Sequence, residues 1–79
     1  MTTDIMKGIN LHIAPHLAQM RTGAITDASS LFDLDFWNET DKQLHRYFGR
    51  VISRMVQMGL LPLEPAGWDA TRHNLYRKT

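Results

Sequence analysis

Lys42, Arg46, Arg50 and Arg54 stand at every fourth position of one stretch of the chain. On a helix that spacing sets the four cations about 6 Å apart along a single ridge, within roughly 120° of one another. Such a ridge suits anions. A guanidinium can grip a phosphate or a guanine edge with paired hydrogen bonds, and Gln43 and Gln57, on the same side, can read base edges. Further along, Arg72, His73, Asn74, Arg77 and Lys78 form a second group able to contact phosphates. The ridge alone equally describes a solvated helix face. The second group is what favours binding.

Other chemistries find less support, and the chain is expected not to be an enzyme. Ser29, Ser30 and Ser53 lack a motif tying them to a histidine and an acid, and no glycine-rich phosphate loop is present. Asp33 and Asp35 would share a face if extended and could do acid–base work, though a solvated turn explains them more simply. His12 and His16 form an i, i+4 pair without a third ligand, so no metal is expected, and His45 and His73 have no evident partners. No cofactor is expected either. Trp68 reads two ways: as an aromatic inserted into a partner's groove, or as one packed back on Leu75 or Tyr76.

Several elements must position these groups. Ile5, Ile9, Ile13 and Leu17, with Met6 and Met20, make an apolar stripe about 120° wide and predict a helix over 4–20, disturbed near Pro15. Residues 22–39 are harder to read; a short helix over Ala28–Phe32 followed by a turn is preferred, with Phe32, Leu34, Phe36 and Trp37 in the core. The strongest signal is a helix over 40–58. Thr40 is expected at its N-cap, Leu44, Phe48, Val51, Ile52 and Met55 on its inner face, and Gly59 as a left-handed C-cap. Met20, Met55 and Met58 read as core fillers. Leu60–Glu64 and His73–Lys78 then suggest a hairpin with a long tip holding Trp68, and Pro62 confines its first strand to an edge.

Composition bounds the rest. A chain of 79 residues, 43% hydrophobic, makes one small domain with a thin core, which leaves room for a homodimer or a partner. The absence of cysteine removes disulfides, thiolate catalysis and sulfur-ligated zinc, and fits a cytoplasmic protein. No signal peptide or membrane span is expected. The net charge of +1 hides an imbalance: residues 1–41 carry two basic against six acidic groups, and residues 42–79 seven against two. A basic C-terminal half is what an anion-binding face requires. Asp33, Asp35, Glu39 and Asp41 would oppose binding if they shared the face of the arginines.

The run LHRYFGRVISRMVQMGLLPLEPAGWDATRHNLYRK resembles the end of a winged helix-turn-helix domain, as found in small phage and prophage regulators. The resemblance covers about half the chain. It implies a recognition helix at 40–58 and a wing at 60–78, with helix 4–20 and a short helix near 27–33 before them. The expected architecture is thus α+β: a single winged-helix-like domain over 1–79, about three helices followed by a C-terminal β-hairpin wing. The resemblance implies a DNA-binding regulator of transcription whose helix enters the major groove, while the wing contacts phosphates or the minor groove. The alternative is a winged-helix module that docks on a host or regulatory protein through the same basic face or Trp68.

Overall fold

A computed structural model describes the backbone of residues 2–79 and the side chains from Asp4 onward. Three helices and a three-stranded antiparallel sheet enclose one core, in an α+β arrangement. Helix α1 spans Thr2–Gln19, and Ile9, Ile13 and Leu17 of its stripe are buried, whereas Ile5 at its outer end is partly exposed. The helix continues through Pro15 without a break. Pro15 and Leu11, the residue whose carbonyl loses its helical donor, both lie on the solvent side, where water can replace the missing bond.

After Gly23 the chain forms a short strand, β1, at Ile25–Asp27, which the sequence pattern did not indicate. A single 3₁₀ turn follows at Ser29–Leu31, and then α2 at Leu34–Asn38. The short helix expected over Ala28–Phe32 is therefore divided and displaced. Asp27 explains the early turn: its carboxylate accepts hydrogen bonds from the Ser30 N–H and the Ser29 hydroxyl, each at 2.9 Å. Leu31 and Phe32 are buried, and Phe36 and Trp37 pack against them. Leu34 is 72% exposed and does not belong to the core.

Helix α3 runs over Lys42–Gln57, slightly shorter than the expected 40–58. Its N-cap is Asp41, whose carboxylate accepts from the Leu44 N–H at 2.9 Å. Thr40, expected in that role, instead donates its hydroxyl to the Trp37 carbonyl at 2.7 Å and helps close α2. The C-terminus closes as expected, with Gly59 at φ 73°. The Leu60 N–H bonds the Met55 carbonyl and the Gly59 N–H that of Val56, the paired bonds of a Schellman cap. Val51, Ile52, Met55 and Val56 are buried and Phe48 packs against them. Leu44 and Met58, at 42% and 54% exposure, lie at the two ends of the helix beyond the core.

The two remaining strands are β2, Leu63–Trp68, and β3, Asn74–Lys78. They begin and end inside the expected 60–78 span, but β2 starts later and reaches Trp68, so Trp68 ends a strand rather than tipping a loop. The sheet order is β1–β3–β2. The hairpin is thus not free-standing: β1 pairs with β3, placing Thr26 opposite Tyr76. Strand β2 is an edge, which tolerates Pro65 within it. No helix among the described residues is long and apolar enough to cross a membrane.

Ile52 is fully enclosed and Leu44 is not, although both sit on the expected inner face of α3. Ile52→Ala should cost about 2–5 kcal/mol through the cavity it leaves, and Leu44→Ala under about 1 kcal/mol, as read from urea denaturation of the two variants.

Candidate nucleic-acid interface

A groove of about 1060 Å³ runs between α3 and the turn end of the hairpin. Lys42, Arg46, Arg50, Arg54 and Gln57 line it from α3, and Arg72, His73 and Asn74 from the opposite side. Residues separated by up to thirty-two positions are thus gathered around one space. The helix supplies its side because its apolar face is committed to the core, which leaves the cationic ridge outward. Gln43 does not line the groove. Neither do Arg77 and Lys78, which lie near the other end of β3; Arg77 pairs with Glu64 at 3.1 Å, and the Lys78 backbone is bonded to Gly23 and Ala24.

The electrostatics follow from what each charge touches. Among the described residues, Lys42, Arg46, Arg50, Arg54 and Arg72 make no ion pair. Asp33, Asp35, Glu39 and Asp41 are absent from the lining; Asp33 meets His16 at 3.0 Å and Asp41 caps α3. Asp27 is the one carboxylate at the groove wall. Burial works against its charged form, but the hydrogen bonds from Ser30 and Ser29 outweigh this and hold it below the ordinary carboxyl value.

A carboxylate also builds the hairpin tip. Asp69 accepts from the Thr71 N–H and hydroxyl, both at 2.8 Å, and from the His73 N–H at 2.9 Å. The His73 bond and then the Thr71 hydroxyl hold Asp69 below the ordinary carboxyl value. Because the Thr71 hydroxyl gives its proton to Asp69, His73 Nδ1, 2.7 Å away, donates to that oxygen. Within this knot Arg72 adopts φ 65°, a left-handed backbone that a non-glycine residue rarely takes. The Asp69 bonds on both sides hold it there, and the Arg72 N–H itself bonds the Asp69 carbonyl at 3.1 Å. Arg72 is therefore presented from a fixed turn.

The floor of the groove was not legible in the chain. The Ser53 hydroxyl lies 2.6 Å from the Tyr76 hydroxyl and accepts from the Asn74 amide at 3.2 Å, tying α3 to β3. His45 stacks on Trp37, with ring centroids 3.8 Å apart and planes within 4°, and donates from Nε2 to the Trp37 carbonyl at 2.8 Å. Ser53 carried the only hint, as a short polar residue among long cations. Gly49 also lines the groove, and a Cβ built there would meet nothing within 4 Å. Elsewhere His12 stacks on Phe36 at 4.4 Å, away from His16 and its Asp33 partner. Among the described residues no three histidines or acids cluster as metal ligands would.

Comparison with protein-family models, with curated proteins and with solved structures gave no significant match in any of the three.

Two outcomes are expected. A carboxyl held low in the fold adds stability that is present above its unfolded value and lost as pH falls through its folded one. The stability of the protein should therefore decline as pH drops below 3.8, and Asp27→Asn with Asp69→Asn should flatten that decline, as seen in urea midpoints across the acid range. Gly49→Ala should stabilise α3 by about 0.5–1 kcal/mol, since the helix gains propensity and no neighbour resists the methyl; thermal melts read this directly.

Proposed function

We propose that this is a winged-helix protein that binds duplex DNA without catalysis, as a regulator of transcription of the kind found in phages and other mobile elements. Helix α3 is the recognition helix, and the β2–β3 hairpin is the wing. The supporting observation is the single groove in which the unpaired cations of α3 face Arg72 and His73 of the hairpin tip, with the carboxylates Asp33, Asp35, Glu39 and Asp41 absent from its lining. A duplex lies with α3 against its major groove, and the phosphates of one strand run between the helix and the tip. Arg50 and Arg54 carry the phosphate or guanine contacts, and Gln57 reads a base edge. Arg72, fixed by the Asp69 turn, holds the neighbouring backbone. Arg77, already paired with Glu64, contributes less.

One feature favours the second reading, a winged-helix module docking on a protein: Trp68, 73% exposed on the hairpin. Exposed tryptophans are common anchors of protein interfaces.

Titration of a short duplex at several salt concentrations decides between them. Duplex affinity should fall steeply with salt, and Arg50→Ala should lower the log–log slope by about 1, as loss of one phosphate contact requires. Arg50→Glu with Arg54→Glu should abolish binding while the circular dichroism and melting of the protein stay intact, since both side chains are exposed. Arg72→Ala should weaken binding more than Arg77→Ala. No duplex affinity at low salt would turn the reading to protein docking.

A further inference from the structure

The hairpin ladder contains an irregularity between Pro65 and Trp68 that decides where Trp68 points. Pro65 lies opposite Tyr76, so an unbroken antiparallel ladder would place Gly67 opposite Asn74 and send Trp68 to the reverse side of the sheet. One extra residue in β2 instead sets Trp68 opposite Asn74. Directly opposed residues project from the same face of a sheet. Asn74, two positions from Tyr76, shares the face that meets α3 through Ser53. The bulge therefore turns Trp68 toward α3. Gly67, at φ 90°, supplies the backbone freedom the extra residue needs.

The indole nevertheless stays 73% exposed. It walls a hollow of about 330 Å³ whose other sides include Val56 and Gln57 of α3 and Asn74 and Leu75 of β3. Ser53, Gln57, Asn74 and Tyr76 line both this hollow and the basic groove, so the two adjoin. The hollow thus offers an aromatic face on one side, two side-chain amides beside it, and a cationic groove adjoining it. An aromatic group attached to a polyanion matches all three.

We propose, on the basis of the nucleic-acid reading above, that Trp68 is a stacking platform for an unpaired nucleobase, with Gln57 and Asn74 at the base edge. The phosphates of the same strand lie along Arg54 and Arg50. The chain thereby prefers duplex containing an unpaired or extruded base over fully paired duplex. A base inside a continuous stack cannot present its face to an indole, which is why the preference depends on an unpaired one.

The test compares a short duplex carrying one unpaired base with the same duplex fully paired, for the wild type, Trp68→Ala and Trp68→Phe. The wild type should prefer the unpaired base by roughly ten-fold or more, the size of a base–aromatic stack, with quenching of indole fluorescence beyond that given by the paired duplex, an increment that Trp68→Ala lacks. Trp68→Ala should lose the preference and keep the affinity for paired duplex, and Trp68→Phe should retain part of the preference. Equal affinity of the wild type for both duplexes, or a preference that survives in Trp68→Ala, overturns the stacking proposal and leaves duplex binding standing. Failure of the wild type to bind either duplex at low salt overturns both.

Discussion

Tyr76 is buried to 3% exposure along its ring, yet its hydroxyl must find a partner, and the partner is Ser53 at 2.6 Å on α3. A buried hydroxyl left without a hydrogen bond costs about 1–3 kcal/mol, so this contact constrains how the helix and sheet can slide against each other. Strand β3 is central in the sheet and pairs on both sides. Locking Tyr76 to α3 therefore locks β1 through Thr26 and β2 through Pro65. The same Ser53 accepts from Asn74, which sets the start of β3 against the helix. The width of the groove, and the position of the tip across it, both follow from that seam.

The second constraint is on charge. A chain with nearly balanced charge presents a cationic groove only if its acids are held elsewhere, and here several of them have structural duties. Asp41 caps α3, Asp33 meets His16, Asp69 ties the hairpin turn, and Glu64 neutralises Arg77. Asp27 stands at the groove wall, but its carboxylate is engaged by Ser29 and Ser30. Among the cations left without an ion pair are those of the α3 ridge and Arg72. Exposed ion pairs contribute little to stability, so leaving these cations unpaired costs the fold little and keeps them available to an anion.

How much of this the sequence disclosed depended on how local the cause was. Helix α3 and its Gly59 cap were legible because apolar period, ridge and glycine all lie within one short stretch. Its N-cap was misplaced by one residue because Thr40 and Asp41 are both good caps, and only the Trp37 carbonyl, in another helix, separates their roles. Strand β1 was invisible: three residues carry no period, and its partner lies some fifty positions away. Leu34 and Leu44 were read as core because helical and alternating patterns say which face a residue occupies, but not whether that face still has a neighbour at the element's end. The ridge half of the groove was legible for the same reason as α3. Its floor was not, because Trp37 meets His45 only when α2 packs on α3, and Tyr76 meets Ser53 only when the sheet docks on the helix.

Gly49 sharpens the view of the ridge. Glycine inside a helix costs about 0.5–1 kcal/mol relative to alanine, and such a cost is commonly offset by close packing that a Cβ would obstruct. No neighbour comes within 4 Å of where that Cβ would be. The space is instead the groove itself, with Lys42, Arg46, Arg50 and Ser53 lining it around the glycine. Two short residues, Gly49 and Ser53, thus lie between long cations on the side of α3 that faces the hairpin. Long side chains at those positions would fill the channel between helix and tip. The every-fourth-residue spacing of the cations follows from the buried face of α3, whereas the glycine has no such packing reason, and keeping the channel open is the role its position supports.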